Sequence, residues 1–180
     1  MPYEYRKLSP KKRKELVQER IRRGYPLHQP PHPFRESGTY LITAANYEHA
    51  RIIDSPERRT EFQDILLEGF QEIRATIISW VIIPNHYHIL VNVSGLEHVS
   101  NLLKQIHGST SYKWNKQDGL TGKRKIWCRY TDRKMRNETH IKNAINYIHY
   151  NPVKHGLVRD EFDWPWSSIF MSDEGRPLSR

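Results

Sequence analysis

His86 and His88 stand one residue apart in the run Ile77-Ile78-Ser79-Trp80-Val81-Ile82-Ile83-Pro84-Asn85-His86-Tyr87-His88-Ile89-Leu90-Val91-Asn92-Val93. Side chains alternate faces along a strand, so both imidazoles point the same way. Two imidazoles a few Å apart on a rigid strand can chelate a metal. Tyr87, Ile89, Val91 and Val93 point the other way, into a core. A pair at this spacing also arises by chance, as two partly buried, satisfied histidines.

A phenol is the second candidate group. The segment from about Glu138 to Tyr150 reads as a helix with Asn137 as its N-cap and Ile141, Ala144, Ile145 and Ile148 as its buried stripe. At about 100° per residue, His140, Asn143, Tyr147 and Asn151 share one flank of that stripe, while Tyr150 points away from it. Tyr147 and Asn151 are four apart and therefore neighbours. Pro152 is expected to end the helix. Taken alone, Tyr147 is one of ten tyrosines and reads as a packing aromatic. Beside a metal-binding histidine pair it suggests attack on a phosphodiester, giving a phosphotyrosine link. The metal would polarise a non-bridging phosphate oxygen.

The elements that must position these groups follow from periodicity. Residues 77–93 read as a hairpin, with Pro84-Asn85 as its turn. Its first arm is almost continuously apolar, the pattern of a central strand covered on both faces. Thr39–Asn46 reads as a strand. Pro56 opens a helix to about Arg74, with Phe62, Ile65, Leu66, Phe70 and Ile73 at helical spacing. Glu97 to about Lys116 is a second helix, with Val99, Leu102, Leu103 and Ile106 on one face. Gly119–Lys125 is a basic loop, and Ile126 to about Arg136 is the next strand. The order predicts an α+β, ferredoxin-like β-α-β-β-α-β arrangement, an antiparallel sheet with helices on one face and the tyrosine-bearing helix added after it.

Charge narrows the partner. The formal net charge is +9, from 29 Lys and Arg against 20 Asp and Glu. That excess favours nucleic acid or an anionic membrane surface. With no apolar run of spanning length and no signal peptide, a membrane is the weaker choice. The single cysteine, Cys128, excludes an internal disulfide and fits a reducing, cytoplasmic location. Residues 1–36 read as a basic, proline-rich arm carrying ten basic and four acidic residues, with a short helix from about Pro10 to Arg23 behind a Ser9 cap. Residues 37–180 make the domain and its C-terminal tail. His28 and His32 lie among prolines without a cysteine nearby and are not read as metal ligands. Lys123, Arg124, Lys125, Arg129, Arg133, Lys134 and Arg136 surround Trp127 and Tyr130, with Lys104 off the apolar face of its helix. Basic residues interleaved with aromatics suit a DNA backbone groove with base stacking, although Trp127 fits a core position equally well.

Asn85-His86-Tyr87-His88-Ile89-Leu90 resembles the histidine–hydrophobic–histidine (HUH) motif of single-tyrosine transposases. Asn146-Tyr147-Ile148-His149-Tyr150-Asn151-Pro152-Val153-Lys154-His155-Gly156-Leu157-Val158 resembles the tyrosine helix and following turn of REP-associated tyrosine transposases, and Asp163-Trp164-Pro165-Trp166-Ser167-Ser168 resembles the segment after it. The match covers roughly residues 38–170. The resemblance implies ATP-independent cleavage and rejoining of single-stranded DNA at hairpin-forming palindromes, through a tyrosine joined to the 5′ phosphate. It implies Mg²⁺ or Mn²⁺ held by His86 and His88 with Asn151 as third ligand, and Tyr147 as nucleophile. It also implies a monomer, with a dimer that swaps the tyrosine helix as the alternative, and a nucleoid-associated place in the cytoplasm. Two other classes stay open: a catalytically silent nucleic-acid-binding ferredoxin-like domain, and a replication-initiator or relaxase nuclease with the same histidine pair.

Overall fold

The computed structural model describes residues 37–120 and 124–170, together with Ser9, Lys11, Lys12, Glu15, Gln18, Glu19 and Arg22. Within the expected N-terminal helix, the described positions from Lys11 to Arg22 are helical, and Ser9 Oγ accepts from the Lys12 amide at 3.4 Å. The proline-rich stretch with His28 and His32, Lys123 and the tail from 171 onward lie outside the described residues.

Four strands form one antiparallel sheet in the order β2-β3-β1-β4. β1 spans Gly38–Ala45 and alternates cleanly: Tyr40, Ile42 and Ala44 enter the main core. α1, Pro56–Glu72, begins as the sequence dictates, with Ser55 Oγ accepting from the Arg58 amide at 3.2 Å and Pro56 in the first turn. β2 is Thr76–Ile83 and β3 is His86–Val93, joined by the two-residue Pro84-Asn85 turn. α2 runs Leu96–Gln117. It crosses α1 at Gly69, where a Cβ would lie 2.7 Å from Leu102 Cδ1, so any larger residue there would have to push that methyl aside. Both helices cover the sheet face that carries Tyr87, Ile89, Val91 and Val93.

Of three expectations, the first and third need correcting and the second is filled in. First, β2 is an edge strand, not a central one. Its apolar character arises because both faces are covered and its outer edge is sealed. Val81 bridges to Ser167, and the Ile82 amide donates to Trp166 O at 2.9 Å. Second, the core keeps its two helices on one face as expected, and the added tyrosine-bearing helix takes the other. α3, Glu138–His149, packs Ala144 and Ile148 onto Val81, Ile83 and Leu90 on the face opposite α1 and α2. Third, the expected strand over 126–136 shrinks to β4, Thr131–Lys134. The preceding residues follow the end of β1 instead, with Tyr47 N donating to Ile126 O and Cys128 N to Ala45 O. This course turns the Trp127 indole into the core, where Nε1 donates to Thr110 Oγ1 at 3.0 Å and the ring stacks on His107 at 4.5 Å.

The Asn137 cap forms as expected, its Oδ1 accepting from the His140 amide at 2.9 Å. Pro152 does not stop the chain from coiling. α3 ends at His149, and one further turn, α4, spans Asn151–Lys154 with the proline in its first turn, where a missing N–H costs nothing.

Candidate active site

β3 pairs with β2 on one side and β1 on the other, so His86 and His88 project from the middle of the sheet. The hydrogen-bonded register sets Val81 and Thr43 beside His88, and Ile83 and Ala45 beside His86. Val81 and Ile83 belong to the cluster under α3, which places both imidazoles on the face that receives the tyrosine helix. The two rings lie 4.9 Å apart, centroid to centroid.

Protein oxygens hold both δ nitrogens. Asn85 Nδ2 donates to His49 O at 3.3 Å, which orients the amide so that Asn85 Oδ1 faces His86 Nδ1 at 2.8 Å. An amide oxygen only accepts, so His86 Nδ1 carries the proton and Nε2 presents a lone pair. Thr43 Oγ1 holds His88 Nδ1 at 2.7 Å. His88 Nε2 is buried with no partner. Burial, with His155 and His49 as like-charged neighbours, pushes His86 down to about 3. Burial, then His86 and His155, holds His88 well below the usual imidazole range. Both rings are therefore neutral at physiological pH, the form that binds metals.

α3 and α4 close the site. The Tyr147 ring lies 5.0 Å from the His88 ring and is partly exposed. Asn151 is fully buried against His86, and neither Oδ1 nor Nδ2 makes a hydrogen bond of good geometry. Buried polar atoms are normally satisfied. Unsatisfied atoms on Asn151 and His88, gathered around a phenol, are the arrangement a bound ion would complete. Among the described residues no three His, Cys, Asp or Glu side chains gather to hold a metal; beside the two imidazoles, the Asn151 amide oxygen is the protein oxygen that would serve as a third donor. Two imidazole nitrogens and one amide oxygen fit a divalent ion with positions left for water or phosphate oxygens.

The structure brings together all four residues singled out for the chemistry: His86, His88, Tyr147 and Asn151. It separates the candidate DNA-binding set. Lys104, Lys125, Arg129, Arg133 and Arg136 are exposed. Arg124 is engaged within the protein, with Nε donating to Asn115 Oδ1 at 3.1 Å and Nη2 to Asp118 Oδ2 at 2.6 Å. Trp127, only 6% exposed, offers no face for stacking a base. Strand alternation splits the β4 cations: Arg133 pairs with Leu41 on the histidine face, and Lys134 with Tyr40 on the other.

Sequence reasoning left several groups without a role. Thr43 orients His88 through a cross-strand register that no local spacing reveals. His155 lies 5.0 Å from the His86 ring, and Lys154 Nζ lies 4.8 Å from the centre of the Tyr147 ring. Their proximity follows from the α4 turn, which Pro152 was expected to prevent. His149 Nε2 meets Ser79 Oγ at 3.1 Å and Ser168 Oγ at 3.0 Å, tying the tyrosine helix to β2 and to the C-terminal segment.

Comparison with known proteins follows the same geometry. Residues 37–151 match the family model described as "Transposase IS200 like". A REP-associated tyrosine transposase of Escherichia coli K12 is 28% identical over 133 residues, covering 67% of this chain and 76% of that protein. A relative from Haemophilus influenzae is 25% identical over 147 residues, covering 76% of this chain and 82% of that protein. The solved structure of a REP-associated tyrosine transposase bound to a REP hairpin superposes with a TM-score of 0.64 at 20% identity, over 84% of this chain and 89% of that one. The fold and site thus define an α+β transposase. The chain belongs to the IS200-like transposase family.

Proposed function

We propose that this transposase cleaves and rejoins single-stranded DNA at hairpin-forming palindromes through a 5′-phosphotyrosine on Tyr147, using Mg²⁺ or Mn²⁺ held by His86, His88 and Asn151. One observation carries the reading: the buried, unsatisfied nitrogen of His88 and amide of Asn151 lie beside a partly exposed phenol. The relatives and the hairpin-bound neighbour supply the substrate class.

In this reading the Tyr147 oxygen attacks phosphorus and the bond to the leaving 3′ oxygen breaks. The phenol proton passes to solvent, and the departing oxygen takes a proton from solvent to leave as a free 3′ hydroxyl. The phosphotyrosine bond keeps the energy of the broken one, so a 3′ hydroxyl can reverse the step without ATP. A bound divalent ion supplies polarisation of a non-bridging phosphate oxygen. Thr43 and Asn85 fix the tautomers that leave ε nitrogens free, and Lys154 places positive charge beside the phenol as negative charge gathers on the phosphate. The exposed cations Arg133 and Arg136 follow the strand from the site outward, with Lys104, Lys123, Lys125 and Arg129 as further phosphate contacts. Tyr147 meets the histidines of its own chain, which favours a monomer acting in cis. Among the described residues no helix is long and apolar enough to cross a membrane, and action on the nucleoid in the cytoplasm fits the substrate.

A silent nucleic-acid binder would present an open sheet face for stacked bases. Here α3 covers that face, and His86 and His88 are buried beneath it. Family membership favours a transposase over a replication initiator or relaxase. The test is incubation with single-stranded oligonucleotides from the palindromes flanking the gene, with Mn²⁺ and with EDTA. A metal-dependent covalent adduct supports the reading; no adduct under either condition refutes it.

A further inference from the structure

α2 carries one glycine with no packing reason to be there. A Cβ on Gly69 of α1 would press on Leu102, but a Cβ on Gly108 would meet nothing within 4 Å. A glycine in mid-helix weakens the helix relative to alanine. Gly108 instead lines a groove of about 600 Å³ between α2 and the segment from Arg124 to Arg129. Lys104, Gly108 and Tyr112 all line it, and their spacing of four stacks them in one stripe. The missing side chain is a notch with a lysine on one side and an aromatic ring on the other. Lys104 and Tyr112 are about 12 Å apart along the helix axis at 1.5 Å per residue. Tyr112 is 74% exposed, the most exposed large hydrophobic side chain among the described residues. The opposite wall adds the exposed cations Lys125 and Arg129, and among the described residues no carboxylate lines the groove.

The groove lies on the α2 side of the sheet and the histidines on the other, with the ends of β1 and β3 between them. Cys128 N donates to Ala45 O at 2.8 Å, and Ala45 pairs with His86. Neighbouring strands are about 4.8 Å apart, which puts the Cys128 backbone roughly 10 Å from that of His86.

We propose that the notch at Gly108 is a nucleotide subsite, taking one unpaired base of the strand flanking the hairpin against the Tyr112 ring while Lys104 and Arg129 meet its phosphates. The inference rests on the reading that the chain acts on single-stranded DNA, and it identifies where that strand is held. Aromatic stacking tolerates any base, so the subsite selects single strand over duplex rather than one sequence.

Fluorescence anisotropy of the full chain with a labelled oligothymidylate, and with the same strand in abasic form, tests this. Wild type should favour the base-bearing strand by roughly tenfold, the scale of one stacked base. Gly108→Leu, which fills the notch, and Tyr112→Ala, which removes the ring, should bind oligothymidylate no better than the abasic strand and leave abasic affinity unchanged. Gly108→Leu should melt at or above wild type; if it melts lower, Tyr112→Ala decides. Equal weakening on both strands, unchanged affinity, or a wild type that does not distinguish the strands overturns the subsite. Adduct formation on a hairpin substrate is scored in parallel. An adduct without base discrimination overturns the subsite alone. No adduct overturns the transposase chemistry, and the subsite then stands or falls on the binding data.

Discussion

The His88 imidazole and the Tyr147 phenol meet edge to face within one chain, ring centroids 5.0 Å apart. One lies on the inner strand β3 and the other on the helix that packs across it. Because α3 buries Ala144 and Ile148 on its own sheet, the proposed nucleophile would act without a second copy. A mixture of His86→Ala and Tyr147→Phe proteins, each inactive, should therefore remain inactive when adduct formation is measured. Restored adduct would show a swapped tyrosine helix.

The orphaned ε nitrogen of His88 depends on Thr43, which holds the opposite ring nitrogen at 2.7 Å. Thr43→Val keeps the strand and removes that bond. Such outer partners typically contribute 10–100-fold to metal affinity, so Mn²⁺ binding measured calorimetrically should weaken by about that factor. His86→Ala should abolish Mn²⁺-dependent cleavage and leave DNA affinity within about threefold of wild type, since phosphate contacts carry most of the binding. Unchanged Mn²⁺ affinity in both variants would remove the histidines from metal binding.

Ser168 Oγ touches three partners: Ser79 Oγ at 3.0 Å, His149 Nε2 at 3.0 Å and the Trp80 amide at 3.0 Å. It fastens the tyrosine helix and the sheet edge together. Ser168→Ala leaves the buried Ser79 hydroxyl with fewer partners and should cost about 1–3 kcal/mol in urea unfolding. Adduct formation should slow at saturating DNA while DNA affinity is retained, because the loss acts on the placement of Tyr147. A variant as fast and as stable as wild type would show that the junction positions nothing.

His107 is wedged between Tyr87 and Trp127, and burial pushes it down to about 4. The unfolded chain takes up a proton near pH 6.5 while the folded chain resists until about 4, so the unfolded state binds more protons in between. Stability attributable to His107 is thus complete above pH 6.5 and falls as pH drops towards 4, by up to about 1.4 kcal/mol per pH unit. Urea midpoints of His107→Gln should fall less steeply with acidification than those of wild type. Parallel slopes would contradict the buried, neutral histidine.

Local patterns in the sequence made the site's geometry legible. The two-residue alternation put His86 and His88 on one face, and the four-residue helical step joined Tyr147 to Asn151. The stripe of α3 was legible too, since Ile141, Ala144, Ile145 and Ile148 recur at helical period. Register and long-range pairing were not. Thr43 faces His88 only because β1 lies beside β3, and β2 imitates a central strand because residues 164–168 seal its edge. Trp127 reads as a stacking platform among basic residues until its segment is seen to turn into the core. The α4 turn was hidden by Pro152, which starts a helical turn as readily as it stops one.

The central claim is that Tyr147 is the nucleophile. Tyr150 lies three residues on, at the C-cap of α3, and is 54% exposed against 39% for Tyr147. Only Tyr147 packs against a ring of the histidine pair. The decisive measurement is fragmentation mass spectrometry of the trapped DNA adduct within the tryptic peptide 143–154, which contains both tyrosines. The nucleotide should map to Tyr147, with Tyr150→Phe still forming the adduct and Tyr147→Phe forming none. A nucleotide on Tyr150, or an adduct from Tyr147→Phe, would contradict this account of the site.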